Sequence, residues 1–286
     1  IDIKIDPVNQ NLLRPVVAES VVRRAEDATW VYAHAGIPCT TFSTMLALQR
    51  RVLRLRGKPE GRGGLTGRDK TDVAEANQLV RISCATLRAV FDTGGEFTFE
   101  SVADVGDPSL PCYWPERASM CPLSRMRDIK ALCLYAGVEQ FHVPLSSFHD
   151  GVGEIPPTKW VTIYASRGVA SILRPLGRRC DPYGPGVQRA PAIGRDAHGQ
   201  SRAALTASYP SGLGAWLALA AAHMAGDAQA RQRAPAVPGA QVGHGADLHP
   251  EVRAAVGAAR ALAPRFADMQ RLVAMPVGDR WRQPFP

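Results

Sequence analysis

Residues 28–43, ATWVYAHAGIPCTTFS, constrain the fold more than any other part of the chain. The first eight are rich in β-formers and predict a strand over Ala28–Ala35. Pro38 fixes its own φ and pushes Ile37 towards extended geometry, so the strand must run into a stiff loop that carries Cys39. Upstream, Ile1–Ile5 alternate apolar and charged residues, the period of a half-buried strand, and Asp6-Pro7 ends it. Pro15 stands where a helix can begin, and Val16–Ala25 carry apolar residues at helical spacing. Strand, helix, strand is the unit of a parallel sheet. The expectation is an α/β domain, Rossmann-like, with a mainly parallel sheet flanked by helices. The chain starts at Ile1, inside a strand-like stretch, and is expected to have been cut from something longer.

Further along, Leu46–Gly67 form a basic, glycine-containing loop with Arg50, Arg51, Arg54, Arg56, Lys58, Arg62 and Arg68 in or beside it. Asp69–Phe91 predict a strong amphipathic helix, stopped by Gly94-Gly95, and Glu96–Phe99 a strand. A proline-containing loop follows over Asp107–Pro115 and a helix over Leu123–Tyr135. Strands are predicted over Gln140–Leu145 and Lys159–Ala165, a short helix over Gly168–Leu176, an irregular stretch over Gly184–Gly199, and a helix over Ser211–Met224. Beyond Met224 the composition turns to Ala, Gly, Pro and Gln, a linker signature. The domain therefore spans 1–224, a linker 225–250, and a helical, partly disordered tail 251–286, with a last helix over Pro250–Ala274. The basic loop and this tail are expected to be the least ordered regions, the loop because its charge and glycines favour solvent.

With 286 residues, 45% of them hydrophobic, the chain can bury a sizeable core. No apolar run approaches the roughly 18 residues of a membrane span, so no membrane partner is expected, and no signal peptide is visible. The net charge of +8 favours polyanions, of which nucleic acid is the commonest. None of the six cysteines forms a CxxC pair and no Cys/His cluster has zinc spacing, so no metal site is expected. A reducing, intracellular compartment fits, nucleus or cytoplasm.

Three residues stand out chemically. Cys39 lies where ligands sit in open α/β sheets, at the carboxyl end of a strand, and nearby arginines would favour its thiolate. Cys84 and Cys133, on apolar helix faces, are instead expected in the core. Glu100 ends the apolar FTFE segment, where a carboxyl group can protonate or orient a ring nitrogen; a surface or capping glutamate is the plainer reading. Asp2, with Asp6 as competitor, is placed to bond ribose hydroxyls.

The block GIPCTTFS is similar to the Pro-Cys motif of the cytosine-5 DNA methyltransferases, and FES matches their Glu-Asn-Val motif at its Glu. The order IDI, NLL, GIPCTTFS, LR, a glycine-bearing basic loop, GL, AN-L, FTFES, YW and TASYP resembles a compact methyltransferase-like family of mobile elements and microbial genomes, over roughly Ile1–Trp216. The resemblance implies a Rossmann-like fold and transfer of a methyl group from S-adenosylmethionine to carbon 5 of cytosine in DNA. Cys39 would be the nucleophile at carbon 6, and Glu100 would hold the proton on ring nitrogen 3 of a base turned out of the stack. It implies cofactor contacts at Asp2, Asn11 and Pro38, and nucleic-acid contacts at Arg50, Arg51, Arg54, Arg56 and Lys58. Asn11 stands where the family has Asp, Ser101 where it has Asn, and no Gln-x-Arg-x-Arg motif is recognisable near Leu145–Gly151, where Ser146, Ser147 and His149 stand. The glycine-rich loop that precedes this part of the fold is absent, so weak cofactor binding is expected. Two other readings stay open: a cysteine hydrolase pairing Cys39 with His34 or His149, and an inactive mobile-element remnant that only binds nucleic acid.

Overall fold

Val73, Ala76, Val80, Cys84 and Leu87 recur at helical spacing, and all five are buried. They form the inner face of the longest helix in a computed structural model that describes residues 10–28, 30–37, 40–43, 46, 51–148, 159–179, 181–182 and 210–233. The expected strand over Ile1–Ile5, the irregular stretch over Gly184–Gly199 and the helix over Pro250–Ala274 lie outside the described residues. In chain order the elements are α1 (Pro15–Glu26), β1 (Tyr32–Gly36), α2 (Gly67–Asp92), β2 (Glu96–Val102), α3 (Arg127–Ala136), β3 (Glu139–Pro144), β4 (Trp160–Ala165), α4 (Arg167–Leu173) and α5 (Ser211–Arg233).

Pro15 opens α1 at its first turn, where a missing N–H costs nothing. Gly137 closes α3 in the left-handed region, φ 59°, with its N–H on the Cys133 carbonyl. The strand expected from Ala28 starts only at Tyr32, because Ala28 sits at φ 55°, a turn conformation.

The architecture is α/β, with helices on both faces of an open four-stranded sheet of order β1-β2-β4-β3. On one face, Phe97, Phe99 and Tyr164 pack with Val80, Cys84 and Leu87 of α2 and Ile129, Leu132 and Ala136 of α3. Phe99 and Tyr164 stack with centroids 4.2 Å apart, a contact that adds about 0.5–1.5 kcal/mol beyond burial. On the other face α4 buries Val169, Ala170 and Leu173, and Gly177 approaches Phe141 so closely that a Cβ would lie 3.1 Å from its ring. α1 packs outside α2, burying Ala25 beside Ala89 and Val90.

The sheet is mixed, which corrects the expectation of a mainly parallel one. β1 and β2 are parallel, but β4 pairs antiparallel with both β2 and β3. β1, β2 and β3 do run in one direction. β4 (WVTIYA) buries five of its six residues, and a strand so apolar takes a central place with both edges hydrogen-bonded. Its insertion splits the β2–α3–β3 unit. Element order sets the direction of β3 and is silent about a later strand wedged between.

Contacts divide the chain into two units, Ile1–Tyr209 and Pro210–Pro286. In the second, α5 buries Leu213, Leu217, Ala220 and Met224, a single stripe at helical spacing. Among the described residues no helix is long and apolar enough to cross a membrane.

Candidate functional site at the carboxyl edge of the sheet

Parallel pairing fixes this edge. Tyr32 opposes Glu96 and, four residues on, Gly36 opposes Glu100. The segment that leads to Cys39 and the strand that carries Glu100 therefore end on the same side of the sheet. Ile37 is buried in the main core, and Thr40–Phe42 form a 3-10 turn with Thr41 and Phe42 buried. Both flanks of Pro38-Cys39 are thus held by packing. Cys39 and Pro38 themselves lie outside the described residues, as do Asp2, Arg50 and His149.

Glu100 is half-buried, and its side chain makes no hydrogen bond or ion pair among the described residues. Strand alternation puts it on one face with Thr98, Tyr32 and His34, while Phe99 and Ser101 take the other. Thr98 is fully buried and its hydroxyl joins two β1 side chains: Tyr32 Oη at 2.5 Å and His34 Nδ1 at 2.8 Å. Burial holds the His34 pKa down to about 4, so the imidazole is neutral at physiological pH. A hydroxyl that donates to Nδ1 while accepting from Tyr32 satisfies all three groups. Sequence reading missed Thr98; its place one pleat before Glu100 is the signal that could have found it.

Beyond β2 the chain folds back on itself. Trp114 donates its N–H to the Val105 carbonyl at 2.6 Å, and Arg56 N donates to Ser119 O at 3.0 Å. A Cβ on Gly106 would lie 2.6 Å from the Arg56 guanidinium and 2.9 Å from Ala118 Cα, so this approach needs glycine. Phe42, Val102, Asp104, Arg117 and Cys121 line a small depression here. The end of β3 reaches the same edge, where Ser146 Oγ donates to Asp181 at 3.0 Å and Arg179 donates to Ser147 O at 2.9 Å.

The basic loop faces solvent only in part: Gly57, Lys58, Arg62, Gly63 and Gly64 are exposed as its charge and glycines predict, whereas three of its arginines are held by the fold. Arg51 is held by Asp69 and Asp72 at the start of α2, and Arg56 by Asp104. Arg54 is buried against Phe42 and donates to Thr41 Oγ1, Pro59 O and Val73 O. Its desolvation lowers its pKa to about 10. Carboxylates neutralise Arg51 and Arg56, and Arg54 is buried on neutral acceptors; of the described residues assigned to nucleic acid, Lys58 stays exposed.

Cofactor contacts are less well provided. Of Asp2, Asn11 and Pro38, only Asn11 is described, and its Oδ1 accepts the Leu13 N–H at 2.9 Å, which commits it to the turn ahead of α1. Among the described residues, no group of three or more His, Cys, Asp or Glu could hold a metal ion. Cys84 and Cys133 belong to the core or pack against it, and burial pushes their thiols up to about 12 and about 11. Comparison with protein-family models, with curated proteins and with solved structures finds no match to this chain.

Proposed function

We propose that the chain is a methyltransferase-like domain, Rossmann-like in descent, that acts on carbon 5 of cytosine in DNA. The observation that supports this best is the register of Gly36 with Glu100, which ends both motif-bearing strands at one edge. In this reading a cytosine turned out of the stack meets both groups. The Cys39 thiolate forms a bond to carbon 6, and ring nitrogen 3 carries a proton held by the Glu100 carboxyl. Carbon 5 is then nucleophilic. After it gains a substituent it loses its hydrogen, and the bond from carbon 6 to sulfur breaks. The resemblance names S-adenosylmethionine as methyl donor, and the described residues add nothing to that assignment.

Reversible addition at carbon 6 also exchanges the hydrogen on carbon 5, with no methyl donor present. Release of tritium from carbon 5 of labelled cytosine in an oligonucleotide therefore tests Cys39 and Glu100 alone. The full chain is expected to release tritium, Cys39→Ser to abolish release, and Glu100→Gln to slow it by about 100-fold or more. Release that survives in Cys39→Ser would remove the nucleophile from this reading. The hydrolase alternative is weakened at His34, because burial holds its pKa down to about 4 and makes it a poor base.

A further inference from the structure

Tyr113 and Trp114 are large aromatic residues that stay 41% and 38% exposed, on the loop that follows Glu100. Exposed aromatics standing together need a reason. Three features fix this pair in place. Pro111 and Pro115 bracket it and restrict the backbone. The Trp114 N–H is bonded to Val105 O, which ties the loop to the end of β2. The Arg117 guanidinium lies 4.5 Å from the Trp114 ring centroid. Unlike Arg51 and Arg56, Arg117 has no carboxylate partner among the described residues, and its Nε–H is buried without an acceptor. Beside this loop runs the Leu55–Lys58 turn: Leu55 bridges to both Lys58 and Met120, and Arg56 N donates to Ser119 O. The turn carries the exposed Lys58 two residues after Arg56, the residue that bonds this loop at Ser119.

We propose that Tyr113, Trp114, Arg117 and Lys58 form a platform for single-stranded nucleic acid, the rings stacking unpaired bases and the cations meeting the backbone phosphates. Every base has a π-face, so an indole backed by a guanidinium accepts any of them. The chain's charge of +8 favours a polyanion, although Glu116 in the same turn is exposed and opposes it locally. The loop is tied by Trp114 to Val105, just past the end of the strand that carries Glu100, which puts the platform on the carboxyl-edge side of that strand. This inference rests on the reading of nucleic acid as substrate and is independent of methyl transfer.

Anisotropy titration of the full chain with a labelled oligothymidylate, with heparin as a polyanion that has no bases, tests it. Trp114→Ala is expected to weaken oligothymidylate binding at least about fivefold, the lower end of what loss of one base stack does. It should leave heparin binding unchanged, while Trp114→Phe should stay within about threefold of the parent. Lys58→Gln should weaken both ligands and lower the salt dependence of binding. Circular dichroism of each variant verifies the fold. A folded Trp114→Ala chain that binds oligothymidylate like the parent would overturn the proposal. So would equal losses for oligothymidylate and heparin, or a parent chain that binds neither. Intact base stacking without tritium release from cytosine would instead sink only the methyltransferase reading.

Discussion

The guanidinium of Arg54 lies 4.0 Å from the ring centroid of Phe42, and Arg54 is only 2% exposed. A cation so buried needs compensation. Its hydrogen-bond acceptors are neutral: Thr41 Oγ1, Pro59 O, Val73 O and Met126 Sδ. One side chain thus ties the turn after Cys39 to the basic loop and to α2.

That arrangement predicts a strong and graded response to substitution. Arg54→Ala strands several buried acceptors and opens a cavity beside Phe42, and should lower the unfolding free energy by about 3 kcal/mol or more. Arg54→Lys keeps a cation but loses the planar fork and the stack, and should fall between Ala and the parent. Urea denaturation measures both. A parental midpoint in Arg54→Ala would show that Arg54 does not hold the turn.

His34 predicts a pH dependence. Its folded pKa, about 4, lies below the ordinary value of about 6.5. Between these values the unfolded chain takes up a proton that the folded chain refuses. The stability contributed by the neutral ring is therefore complete above about pH 6.5, shrinks as pH falls, and is gone below about pH 4. His34→Gln should flatten this decline, by at most about 3 kcal/mol across the window. Urea midpoints at several pH values compare the two chains. Parallel curves would mean that His34 titrates normally.

Two glycines predict opposite outcomes. A Cβ on Gly95 would lie 2.7 Å from Trp30 O and 3.0 Å from Val90 O, and backbone cannot easily retreat. Gly95→Ala should cost about 2–4 kcal/mol and disturb the start of β2. A Cβ on Gly63 meets only the Lys58 ammonium, at 3.9 Å. Gly63→Ala should be neutral or slightly stabilising, because it narrows the unfolded ensemble. Thermal melts that ranked the two the other way would contradict the packing described at the entrance to β2.

Much of this was legible from local pattern. α2 declares itself through Val73, Val80 and Leu87 on one face, and Cys84 falls in the core as its helical position requires. The two motif-bearing strands were visible because β-formers run into Pro38 in one case and into Glu100 in the other. What stayed hidden depends on partners distant in sequence. Asp104 neutralises Arg56 from 48 residues away, and nothing near Arg54 in the sequence announces that Phe42 will cover it. Strand order was hidden for the same reason, since β4 is placed by burial on both its faces. The aromatic pair at Tyr113 and Trp114 gives no periodic signal; the sequence offers it only as the YW of the resemblance, and its exposure is seen only in the fold.

The parallel pairing of β1 with β2 also has a kinetic side. The bond from His34 to Thr98 closes a loop of 64 residues, whereas that from His142 to Thr162 closes one of 20. The longer closure costs about 1 kcal/mol more chain entropy before any contact rewards it. Non-local pairing of this kind tends to form late. The β3–β4 pair can assemble as a local nucleus, and the edge that holds Glu100 must wait for the whole of α2 to cross over. Chain-closure entropy thus favours the β3–β4 pair over every pairing made by the strand that carries Glu100.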